Sequence, residues 1–179
     1  MTDTIWSYRL ARENVPEDGV HVEISADAAV RATLAKTAGL RDLSRLDAQF
    51  DVTPSGRDGL HVTGEVSAMV GQNCVVTLDP IEKNIVESID LIFSTDPQPT
   101  LADPDDEASF NLSDAEPPEQ LVGGAVDLAA IATEYFLLGI DPYPRKEGAV
   151  FEAPSSGGAE INPFAVLAAL KKQPKGSSE

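Results

Sequence analysis

From residue 84 to residue 144 the chain contains no lysine and no arginine. The same stretch holds thirteen carboxylates: Glu87, Asp90, Asp96, Asp103, Asp105, Asp106, Glu107, Asp114, Glu116, Glu119, Asp127, Glu134 and Asp141. It carries −13 of the formal net charge of −17, so the asymmetry is regional. A nucleic-acid binder needs a basic footprint, whereas this stretch repels phosphate and attracts cationic proteins. A solvated acidic loop that only aids solubility is the other reading. Cysteine and histidine are equally scarce. One cysteine, Cys74, excludes an intrachain disulfide, and with only His21 and His61 beside it a zinc site of thiolates and imidazoles has too few ligands. No apolar run approaches the roughly 20 residues of a membrane-spanning helix. The start, Met1 to Arg9, has no basic segment followed by an apolar run. A cytoplasmic protein is therefore expected.

Catalytic signatures are missing too. The chain has no phosphate loop ending in Gly-Lys-Ser/Thr, no Gly-x-Ser-x-Gly, no His-Glu-x-x-His and no dinucleotide fingerprint. No enzyme, cofactor or metal site is expected. His21 and His61 sit in strand patterns and read as surface residues. Cys74 lies among apolar neighbours with nothing basic nearby in the sequence to lower its pKa, and reads as a small, inert, buried hydrophobe.

What is present is a patterned core, with hydrophobic residues at 42%. Trp6–Leu10 and Val20–Ile24 read as strands joined by the turn Pro16-Glu17-Asp18-Gly19. A helix is expected from about Ala26 to Ala38, capped by Ser25 and ended by Gly39. The middle then alternates with period two: Leu46, Ala48, Phe50 and Val52; Leu60, Val62, Val66, Ala68 and Val70; Cys74 to Leu78; and Ile85, Ile89, Leu91 and Phe93. Four such runs predict an antiparallel meander, one face buried and one wet. Phe50, Val62, Val66, Val76, Leu78, Ile89, Leu91, Leu128 and Ile131 are the expected core.

Residues 94 to 124 are rich in proline and acid and predict a long, mobile acidic loop able to order on a partner. Helical spacing returns with Leu128, Ile131, Ala132, Tyr135 and Leu138 on one face, Asp127 as cap and Gly139 as stop. After a glycine- and serine-rich linker, Asn162-Pro163 opens a short amphipathic helix. The expected fold is α+β: a mainly antiparallel, strongly curled β-sheet with two to three helices and the long acidic loop. It makes a single domain over 1–147, followed by linker and helix over 148–179.

Several segments carry a resemblance. Val62-Thr63-Gly64-Glu65-Val66-Ser67-Ala68, then Cys74-Val75-Val76-Thr77-Leu78-Asp79-Pro80-Ile81, the acidic gap, Val126-Asp127-Leu128 with Glu134, and the stretch from Leu137 to Pro144 come in that order. Asn162-Pro163-Phe164-Ala165-Val166-Leu167 with Leu170-Lys171 completes them. Over roughly residues 60 to 172 the chain resembles the YceD family, the large ribosomal RNA subunit accumulation proteins. The resemblance implies a non-enzymatic factor for accumulation or processing of large-subunit (23S) ribosomal RNA. Many relatives carry Cys-x-Arg-Cys-Leu where this chain has Cys74, Val76, Thr77 and Leu78, and some have cysteine near the position of Arg145-Lys146. A metal or redox role tied to paired cysteines therefore does not carry over.

The expected partner is a basic ribosomal protein or assembly factor, with ribosomal RNA engaged indirectly. The candidate contacts are Asp103, Asp105, Asp106, Glu107, Asp114, Glu116, Glu119 and Glu134. The alternative is direct RNA binding through a basic patch of Arg9, Arg12, Arg31, Lys36, Arg41 and Arg45, with Trp6 and Tyr8 as stacking groups.

Overall fold

The computed structural model describes residues 6–95 and 118–151. Its frame is a five-stranded sheet in the order β2-β3-β4-β5-β6, with β2 at Val20–Ser25, β3 at Asp42–Ser55, β4 at Gly59–Asn73, β5 at Pro80–Ser94 and β6 at Glu119–Gln120. β2 to β5 are antiparallel, and β6 adds to β5 in parallel through Phe93 and Ser94. β1 (Arg9–Ala11) does not pair with β2 as the Pro16–Gly19 turn suggests. It forms a separate two-stranded sheet with β7 (Ala125–Asp127).

The α+β class and the mainly antiparallel pairing hold, but the strong curl does not. The order of strands is open, with β2 and β6 as edges that do not meet, and β3 to β5 run in register along 14 to 15 residues. Curling a sheet toward closure needs repeated bulges or kinks at its corners. The β3–β4 pairing has one break, between Leu43 and Arg45.

Period two sorts the sheet into its faces. Phe50, Val52, Val62, Val66, Ala68, Val70, Ile89 and Leu91 point inward, while His21, Glu23, Gln49, Asp51, Ser88 and Asp90 face water. Two helices, α1 (Ala28–Thr37) and α2 (Leu128–Leu138), pack on the inner side, closing one core with Val30, Leu34, Leu128, Ile131, Ala132 and Phe136.

Local chemistry moved several expected boundaries. α1 is capped by Asp27, whose carboxylate accepts the Val30 N–H at 2.8 Å; Ser25 instead ends β2 and donates to Asp47. Residues 74 to 78 are the β4–β5 turn and not a strand. Leu78 takes a φ of +62° and is 76% exposed, and Val76 is half-buried, so neither belongs to the core. On α2 the inward face is Leu128, Ala129, Ile131, Ala132 and Phe136, leaving Leu138 73% exposed. The acidic loop expected over 94–124 ends earlier than that, because Glu119–Gln120 form β6 on β5 and Val122–Gly124 a 3-10 turn; its expected mobility over 96–117 and the helix from Asn162 lie outside the described residues.

Candidate interaction surfaces

Asp127 organises one end of the domain. Its Oδ1 accepts the N–H groups of Ala129 and Ala130 at 3.2 and 3.3 Å, capping α2, and also the Tyr8 N–H at 2.9 Å. Its Oδ2 accepts the Ser7 hydroxyl at 2.6 Å, and the Leu128 N–H donates to the Tyr8 carbonyl. Burial opposes ionisation of this carboxyl, but hydrogen bonds from Ser7, Tyr8, Ala130 and Ala129 outweigh it and hold the pKa below the ordinary carboxylate value. One side chain thus clamps the segment carrying Trp6 to the start of α2. Beside it, Trp6, Leu34, Ala130, Thr133, Glu134, Leu137 and Leu138 line an open, mainly apolar hollow of about 450 Å³.

Of the acidic candidates, Glu134 lies on this hollow, exposed. Glu119 is exposed on β6 at the sheet edge, on a different element. Asp103, Asp105, Asp106, Glu107, Asp114 and Glu116 lie outside the described residues.

The basic candidates do not form one patch. Arg31, Lys36 and Arg41 line a shared hollow between α1 and β3, together with Asp42. Arg45 is on the outer face of the sheet, bound to Asp47 at 3.1 Å, Ser67 at 2.9 Å and Asn84 at 3.1 Å. Arg9 is exposed on β1, and Arg12 donates to the Val15 carbonyl while its Nε is buried without a partner. Charges already held by carboxylates or turned into the protein are poorly placed to grip phosphate.

Each histidine makes a hydrogen bond with a carboxylate on the wet face of the sheet. His21 Nδ1 lies 2.8 Å from Asp51 and His61 Nε2 lies 2.7 Å from Asp90. Hydrogen bonds to Asp51, and then to Glu23, raise the His21 pKa above its ordinary value.

Cys74 departs from the inert hydrophobe its neighbours suggest. It has no exposed surface, yet it stands outside the core cluster, covered by the β4–β5 turn. Its Sγ accepts the backbone N–H of Lys146 at 3.3 Å and of Thr77 at 3.5 Å. The Val75 N–H donates to the Pro144 carbonyl, and Lys146 Nζ lies 2.9 Å from Asp79, so the turn is fastened to residues 144–146. These hydrogen bonds, the Lys146 N–H first and then Thr77, outweigh desolvation and lower the thiol pKa to about 6. The pairing joins residues 72 positions apart, which no local reading of the chain could foresee.

A pH test follows, with a definite sign. The folded-state pKa lies below the ordinary value of 9.0, so the stability from this thiolate is fully present above that value and is lost as pH falls through about 6. The stability difference between wild type and Cys74→Ala is expected to widen as pH rises across that window. Urea unfolding at several pH values measures it, and ultraviolet thiolate absorbance in the native protein should titrate near 6. A pH-independent difference, or a thiol titrating like a free cysteine, would count against the arrangement.

Among the described residues no three of histidine, cysteine, aspartate and glutamate converge as a metal-binding set, and no helix is long and apolar enough to cross a membrane. No curated protein and no solved structure matches the chain. The family model described as large ribosomal RNA subunit accumulation protein YceD matches residues 62–171. That span takes in most of β4, all of β5, β7 and α2, the Cys74 turn and the acidic stretch, more than half of the sequence, and the chain belongs to the YceD family.

Proposed function

We propose that this protein supports accumulation of large-subunit ribosomal RNA without catalysing a reaction, by holding a basic ribosomal protein or assembly factor until RNA takes over the cationic surface. The family description supplies the RNA context and names no catalysed reaction. The observation that carries the mechanism is the charge: −17 overall, with no lysine or arginine from 84 to 144. Among the described residues Arg45, Lys83 and Lys146 already pair with Asp47, Asp141 and Asp79. Each pair cancels one carboxylate along with one cation, so the net charge stays at −17 while fewer cations are left to bind phosphate, and the surface is suited to steering a basic protein.

Replacing Asp103, Asp105, Asp106 and Glu107 with their amides removes four negative charges with little change of shape. Association with a purified basic large-subunit ribosomal protein, followed by stopped flow at low salt, should slow by about tenfold. The gap from wild type should close as the Debye length falls to about 8 Å near physiological ionic strength. An unchanged low-salt rate would defeat the reading. So would tight RNA binding abolished by alanine at Arg31, Lys36 and Arg41, the three cations that share one hollow; that result would establish the direct RNA-binding alternative.

A further inference from the structure

α2 is apolar on two faces. One face, Leu128, Ala129, Ile131, Ala132 and Phe136, is buried in the core. The second, Ala130, Thr133, Glu134, Leu137 and Leu138, follows helical spacing and stands open, with Leu137 and Leu138 40% and 73% exposed. Trp6 and Leu34 form the rest of the hollow, and the Asp127 clamp fixes the Trp6 segment against α2. A helix that is apolar around most of its circumference is normally covered in its working state.

Charge narrows the cover. Glu134 is the one charged side chain in the lining, and no lysine or arginine among the described residues makes an ion pair with it. A second copy would bring another −17 against the first, and an anionic lipid surface would be repelled in the same way. We infer that this groove receives an amphipathic helix of the basic partner. Apolar side chains of that helix lie on Ala130, Leu137, Leu138 and Trp6, and a lysine or arginine meets Glu134. The inference rests on the proposed function for the kind of partner. It adds where the partner docks and what side-chain pattern is recognised, the helix-in-groove mode.

Trp6 is the only tryptophan in the chain, so its fluorescence reports on the groove directly. The probe is a synthetic helical peptide of about 18 residues, roughly five turns, with a leucine stripe flanked by lysines. Its controls carry glutamate for lysine, or serine for leucine. The lysine–leucine peptide is expected to move Trp6 emission to shorter wavelength in a saturable way, and the controls are not. Leu138→Asp, at an exposed position, should weaken that binding at least about tenfold. Glu134→Lys should reverse the preference toward the glutamate peptide.

Binding of the lysine peptide by anisotropy with no change at Trp6 would overturn the groove while leaving the proposed function intact. A Trp6 shift that appears without peptide as protein concentration rises, tracking dimer formation, would assign the groove to a second copy and overturn the inference. A shift with zwitterionic vesicles and none with peptide would overturn it in favour of lipid. Conversely, a wild type that retains no basic large-subunit ribosomal protein at low salt, yet shows the full peptide pattern, would end the proposed function and keep the groove.

Discussion

Phe136→Ala is expected to remove about 3–5 kcal/mol of stability, lost burial plus the cavity left behind. Phe136 has no exposed surface and belongs to the cluster that joins α2 to the sheet. Whole domains are stable by only about 5–15 kcal/mol, so this one truncation should move the urea midpoint substantially. Far-UV circular dichroism and Trp6 fluorescence are expected to report the same transition, because Asp127 binds both the start of α2 and the segment beside Trp6. Leu138→Ala on the same helix is 73% exposed and should change stability by no more than about 0.5 kcal/mol. A loss below about 1 kcal/mol at Phe136, or comparable losses at both positions, would mean that α2 is anchored by its other face.

The parts of the fold legible in the sequence are those governed by local rules. Alternation around Phe50 and Val62 placed the correct residues inside, because a pleated strand with one wet face imposes that pattern whatever its partners. Asp127 was legible as a cap for the same reason. Gly39, at a φ of +65°, takes the left-handed conformation expected where α1 stops. Misreadings arose where two local rules competed. Ser25 and Asp27 are both good caps, and Ser25 is claimed by β2 pairing with Asp47. Cys74 to Leu78 is apolar enough for a strand, yet Leu78 adopts a positive φ that a non-glycine residue rarely takes, so turn geometry won over composition. Pairing of Arg9–Ala11 with Ala125–Asp127 is decided by contacts more than a hundred positions apart, and the sheet stays open because its long strands pair with a single break where curling would need repeated ones.

The interaction surfaces divide in the same way. Net charge is additive along the chain, so the acidic character was visible without a structure. The groove is not, because helical spacing from Leu128 assigns Leu138 to the inward face and the structure leaves it outward. A signal was available: in α2 only Thr133, Glu134 and Tyr135 are polar among eleven residues, too few to furnish a solvated face. Glu134 then gains meaning from its setting. On a polar helix it would be one surface carboxylate among many, whereas here it is the sole charge in an apolar lining.

Gly64 offers the second large effect and explains why the run Val62-Thr63-Gly64-Glu65-Val66 has no side chain at its centre. It lies in mid-strand opposite Phe50 on β3 and Ile89 on β5, on the inward face. A Cβ there would overlap the Gln49 carbonyl and approach Phe50 Cδ1 to 3.1 Å. The carbonyl belongs to a paired strand and has no rotamer by which to withdraw, so Gly64→Ala should cost about 1–3 kcal/mol despite the better strand propensity of alanine, and Gly64→Val more. Two partners contribute to the clash, and a double variant separates them. Phe50→Leu removes the ring contact and leaves the carbonyl in place. If the backbone is the limiting contact, Gly64→Ala remains destabilising in the Phe50→Leu background by nearly the same amount. If the ring is limiting, the two changes compensate, and the coupling measured by urea unfolding of the four proteins in the cycle approaches the whole cost of Gly64→Ala. The geometry predicts small coupling, with the Gln49 carbonyl as the constraint.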